Sequence, residues 1–145
     1  MTDNSSNKPN GIFWAIAIFA TIWNLLGVLA YLGQVFMTDE ALAALPEEQQ
    51  EVYSNVPTWA TAAFAVAVWF GFLGSILLLL KKGFAKTLFL ISLIGILVQM
   101  YYNLFMSKNI EVYGPGGYVM PVMVLVIGIF LVWYSKKAKA DGYLS

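Results

Sequence analysis

The stretch TWATAAFAVAVWFGFLGSILLLLKK, Thr58–Lys82, decides how this chain is read. Every residue from Thr58 to Leu80 is uncharged, and the run stops on Lys81 and Lys82. A helix needs about 20 mostly apolar residues to cross the hydrocarbon of a bilayer, within a range of about 17–25. A backbone in that medium finds no water and must satisfy its own N–H and C=O groups, so a lone apolar run of this length is a helix. Working outward, three more runs qualify: roughly 12–36, 87–106 and 118–134, the last near the short limit. The sequence therefore predicts an all-α protein, an integral membrane bundle of four transmembrane helices over 12–134. Residues 1–11 read as a disordered N-terminus and 135–145 as a C-terminal tail. The first run is too long for a secretory signal, follows Asp3 and a single Lys8, and precedes no small-x-small cleavage site.

Composition agrees. Of 145 residues, 60% are hydrophobic and 11% charged, against about 45–50% and about 25% in ordinary soluble domains. Cysteine, histidine and arginine are absent, which removes disulfides, thiolate metal sites and imidazole chemistry. The net charge is zero, so nothing points to nucleic acid.

The lysines predict an orientation. Lys8 precedes the first span, Lys81, Lys82 and Lys86 separate the second from the third, and Lys136, Lys137 and Lys139 follow the fourth. The other side carries Lys108 against Asp39, Glu40, Glu47, Glu48, Glu51 and Glu111. The positive-inside rule then puts both termini in the cytoplasm. The first outer loop, TDEALAALPEEQQEVYSNVP (38–57), reads as a short surface helix. Pro46 suits its first position, and Leu42, Leu45, Val52 and Val56 form an apolar stripe. The segment VYGPGGYV (112–119) lacks the order of a potassium filter and the strand and lysine of a phosphate loop, so it reads as a turn.

Lipid supplies no hydrophobic drive between helices, so small residues and hydrogen bonds hold bundles together. The second span carries Ala60, Ala63, Ala67, Gly71 and Gly74 on one face, a packing stripe. The third carries Ser92, Gly95, Gln99 and Asn103, with Tyr102 at its border, and the first carries Asn24, Gly27, Tyr31 and Gln34. Asn24, Tyr31, Gln34, Gln99, Tyr102 and Asn103 thus form a candidate polar track between the first and third spans, opening outward. Two roles stay open for these side chains. Amides in membrane helices commonly bond only to a neighbouring helix, at about 0.6 kcal/mol on average, but they also suit contact with a small neutral solute.

No span interior holds Asp, Glu, Lys, Arg or His. Ionisable groups at membrane depth mark proton relays and ion paths, and acid–base catalysis needs a titratable group. The sequence therefore predicts no enzyme, no metal, no cofactor and no proton coupling. The partners it predicts are the bilayer, further copies of the chain or a larger membrane complex, and a small neutral solute.

The stretches LPEEQQEVYSNVPTWATAAFAVAVWFGFLGSILLLLKK (45–82), VQMYYNLF (98–105), EVYGPGGYVMPVMV (111–124) and the tail DGYLS (141–145) resemble an uncharacterised family of small bacterial four-span membrane proteins. The resemblance covers nearly the whole chain. The family often carries the automatic label "sugar transporter", and it implies a bacterial inner membrane. It carries over no catalytic or binding residues. Where the family has an arginine after the second aliphatic run, this chain has Lys81.

Overall fold

A computed structural model describes residues 8–106 and 114–145. Four helices in it are long and apolar enough to cross a membrane. Helix α1 spans Gly11–Val35. Two short helices follow, α2 (Asp39–Ala43) and α3 (Glu47–Ser54). Helix α4 spans Thr58–Leu79, α5 spans Ala85–Tyr101 and α6 spans Val119–Ala140. A π-helical turn, Tyr102–Met106, prolongs α5, and a 3-10 turn, Gly114–Tyr118, leads into α6. All regular structure among the described residues is helical. The readings that fall on residues 1–7, Lys108 and Glu111 lie outside the described residues.

Local chemistry sets the ends. Asn10 accepts a hydrogen bond from the Phe13 N–H at 2.9 Å and opens α1. Thr38 does the same for α2 through the Ala41 N–H, at 3.0 Å. Both satisfy an N–H that has no partner within its helix. Pro46 is the cap of α3, one place earlier than the sequence suggests, because its extended backbone (ψ 148°) precedes the first helical residue.

The last helix does not stop at Tyr134. Residues 135–140 are Ser, Lys and Ala, which include strong helix formers and no breaker. It runs to Ala140 and is closed by Gly142, whose φ of 83° is a left-handed conformation that costs glycine nothing. There the Tyr143 N–H bonds the Ala138 carbonyl (2.9 Å) and the Gly142 N–H bonds that of Lys139 (3.1 Å). This paired pattern closes the free carbonyls of a helix C-terminus. The chain then folds back. The Ser145 N–H bonds the Lys81 carbonyl at 2.9 Å, and the Gly83 N–H bonds the Ser145 carbonyl at 3.0 Å. The residues read as a free tail are thus stitched to the α4–α5 loop.

Helix α4 packs between α1 and α5, and α6 packs on α5. The small stripe makes this possible, because Ala60, Ala63, Ala67, Gly71 and Gly74 are all buried. Gly95 of α5 allows the closest approach. A Cβ there would lie 2.9 Å from both the Ala63 carbonyl oxygen and the Ala67 nitrogen, which are backbone atoms of α4. At the lysine end the bundle is sealed by Phe13, Leu78, Phe89, Leu131, Tyr134 and Leu144. Phe13 of α1 reaches Tyr134 of α6 there, with ring centroids 6.4 Å apart.

Candidate functional site

Away from that seal, α1 and α6 form opposite walls of a cavity of about 650 Å³, with α4 and α5 between them and α3 at the far end. The volume falls within the range of about 300–1,000 Å³ typical of pockets for small molecules. Its floor is Phe89 and Leu131, and its walls include Trp23, Leu26, Ile96 and Val124. Among the described residues its lining holds no charged side chain.

Five of the six side chains of the expected polar track line this cavity: Asn24, Gln34, Gln99, Tyr102 and Asn103. Tyr31 is outside the lining and packs edge-on against Phe64 of α4, at 5.5 Å and 88°. The Phe64 ring of α4 meets Tyr31, so its side chain packs between α1 and α4 instead of lining the cavity.

The five are not equivalent. The Asn24 amide Nδ2 donates to the Ala20 carbonyl (2.9 Å) and to Ser75 Oγ of α4 (3.1 Å). Ser75 in turn donates to the Gly71 carbonyl at 2.8 Å. The Asn24 oxygen occupies the space beside Gly71, where any Cβ would collide with it. Asn24 is therefore tied to α4, the helix α1 packs on, rather than to α5. Ser92 of α5 donates to the Ala67 carbonyl of α4 at 2.6 Å, a second cross-helix bond at about the same depth.

Gln34 and Gln99 differ. Both are half-buried, and neither side chain has a hydrogen-bond partner among the described residues. Tyr102 is buried, with Trp59 edge-on at 5.7 Å. Asn103 sits in the π-helical turn and also lines the cavity. Gln99 is about 10 Å further along α5 than Ser92, at about 1.5 Å per residue. Gln34 and Gln99 thus occupy the half of the cavity remote from the lysine end.

Ser75 was missed by the sequence reading. Its signal was present, since it continues the Ala67, Gly71 spacing by one more turn. Val52 and Val56, expected on a surface stripe, also line the far end of the cavity. No group of three or more metal-ligating side chains occurs among the described residues.

The division between tied and untied amides is measurable. Asn24→Ala should lower stability by about 1–2 kcal/mol, the upper range for hydrogen bonds between membrane helices. Gln34→Ala and Gln99→Ala should stay within about 0.5 kcal/mol. Unfolding of the purified variants in mixed micelles reads both values, and an equal loss at all three positions would contradict the assignment.

The fold and the cavity define a class: a four-span helical bundle, multi-pass by helix length and composition, with an uncharged cavity open between its helices. Comparison with known proteins finds no matching family model, curated sequence or solved structure.

Proposed function

We propose that this chain is a non-enzymatic multi-pass protein of a bacterial inner membrane that holds a small neutral solute in the cavity and passes it across the bilayer as an oligomer. The observation that supports this is the gathering of Gln34, Gln99, Tyr102 and Asn103 around one uncharged chamber. Neutral amides and a phenol hydrogen-bond a hydroxylated solute without asking for a counter-charge. In this reading both termini are cytoplasmic, on the strength of the lysine distribution, and α2 and α3 lie along the outer surface. The resemblance to small four-span proteins labelled as sugar transporters points the same way.

Four helices enclose little space, so a full pathway needs further copies. Helix α6 leaves Val119, Met123, Val126, Ile129 and Trp133 exposed, an apolar face that suits lipid or a further copy. That face also suits a second reading, in which the chain is an accessory or assembly subunit of a larger membrane complex. Copurification in mild detergent followed by mass spectrometry separates the two: a lone homogeneous oligomer counts against the accessory role.

The direct test is uptake of radiolabelled neutral sugars and polyols into proteoliposomes. Gln99→Leu combined with Asn103→Leu should abolish uptake, a fall of at least about tenfold for two lost hydrogen bonds, while expression stays intact. Unchanged uptake would refute the transport reading.

A further inference from the structure

The polarity of the cavity is graded along its length. At the lysine end the floor is Phe89 and Leu131, with Ile127 above them. At mid-depth the polar groups are already committed, Asn24 to Ala20 and Ser75, and Ser92 to Ala67. Their donors are thus spent, the Asn24 amide within α1 and across to α4, and the Ser92 hydroxyl across from α5 to α4. Only in the far half do Gln34 and Gln99 present amides without a described partner. From Phe89 to Asn103 the cavity runs about 20 Å, at about 1.5 Å per residue of α5.

A compact, fully hydroxylated molecule matches only the far half of such a cavity. Deep in it, its hydroxyls would lose water and find apolar walls, which costs about 1–3 kcal/mol for each one left unbonded. A molecule that is itself graded does match: an apolar chain against Phe89, Ile127 and Leu131, and an uncharged hydrogen-bonding head against Gln34 and Gln99. A charged head would have no counter-charge among the described lining residues and would be partly desolvated without one.

We infer that the ligand of this cavity is an uncharged amphiphile, held with its apolar chain toward the lysine end and its hydroxylated head between Gln34 and Gln99. The inference rests on the reading of the cavity as a ligand site and narrows it to one chemical class.

The test is calorimetric titration of the full-length chain, kept soluble in amphipol, with four probes: octyl-β-glucoside, hexyl-β-glucoside, glucose and octyl sulfate. Octyl glucoside should bind saturably. Hexyl glucoside should bind roughly tenfold more weakly, since each buried methylene contributes about 0.8 kcal/mol. Glucose and octyl sulfate should each bind at least about tenfold more weakly than octyl glucoside. Gln99→Leu should weaken octyl glucoside about tenfold, and Ile127→Trp, which fills the floor, should weaken it more.

Glucose binding as tightly as octyl glucoside would overturn the amphiphile and leave the neutral-solute cavity standing. Octyl sulfate binding equally well would overturn the uncharged head. Saturable binding by none of the probes would overturn the inference together with the ligand-site reading. The comparison of hexyl with octyl chains needs no variant, so a misfolded mutant does not blunt the test.

Discussion

Replacing Gly95 by leucine should separate α4 from α5 and lower the stability of the bundle by more than about 3 kcal/mol. A Cβ at this position would meet the Ala63 carbonyl oxygen and the Ala67 nitrogen at 2.9 Å each, with Val66 Cγ1 at 3.0 Å. Two of these three neighbours are helix backbone, which cannot swing aside as a side chain can. The helices must move apart, and the Ser92 to Ala67 bond of 2.6 Å is lost with the contact. Close backbone approach through small residues is a main source of helix association in lipid, so little remains to offset the loss. Gly95→Ala should show the same effect at about 1–3 kcal/mol. Unfolding in mixed micelles measures both; a leucine variant as stable as wild type would mean that the two helices do not meet here.

Phe13→Ala should cost about 2–4 kcal/mol. Large-to-small changes of a buried Phe cost about 3–5 kcal/mol in water-soluble cores. The estimate is lower here because lipid removes part of the hydrophobic term and leaves mainly the loss of packing. Phe13 is fully buried. Its ring lies edge-on to Trp14 at 5.1 Å and to Tyr143 at 5.7 Å, and 6.4 Å from Tyr134. It joins α1, α6 and the folded-back C-terminal residues, so its removal opens the seal below the cavity. Limited proteolysis after Tyr143 should accelerate in this variant, because Leu144 loses the neighbours that bury it. Phe13→Leu should lose less than half as much, and equal losses in the two variants would show that the aromatic contacts contribute nothing.

Much of the architecture was legible in the chain because it follows from local periodicity and length. The four spans begin and end within a few residues of the expected places, except where α6 continues through SKKAKA to Ala140. Lys136 and Lys137 end only the apolar part of the helix, and the helical backbone runs on past them. The stripe from Ala60 to Gly74 was legible for the same reason, since residues three and four apart share a face whatever the partner. The convergence of Asn24, Gln34, Gln99 and Asn103 on one space was also readable from their faces.

What those side chains do there was not readable. Whether an amide is tied or untied depends on which helix stands opposite, and helical order in the bundle is a property of packing, not of any one segment. Asn24 meets Ser75 because α4 lies next to α1. Tyr31 leaves the track because Phe64 reaches it first. Val52 and Val56 border the cavity because the segment from α3 to α4 passes its far end. The sequence by itself determined that this chain is an all-α protein of four bilayer-length helices with small and amide faces, since hydrophobic length and spacing are local quantities. Only the tertiary structure decided that the small faces meet at α4, that Asn24 is committed to Ser75, and that Gln34 and Gln99 remain at the rim of an uncharged cavity, since each of these is set by contacts between residues far apart in the chain.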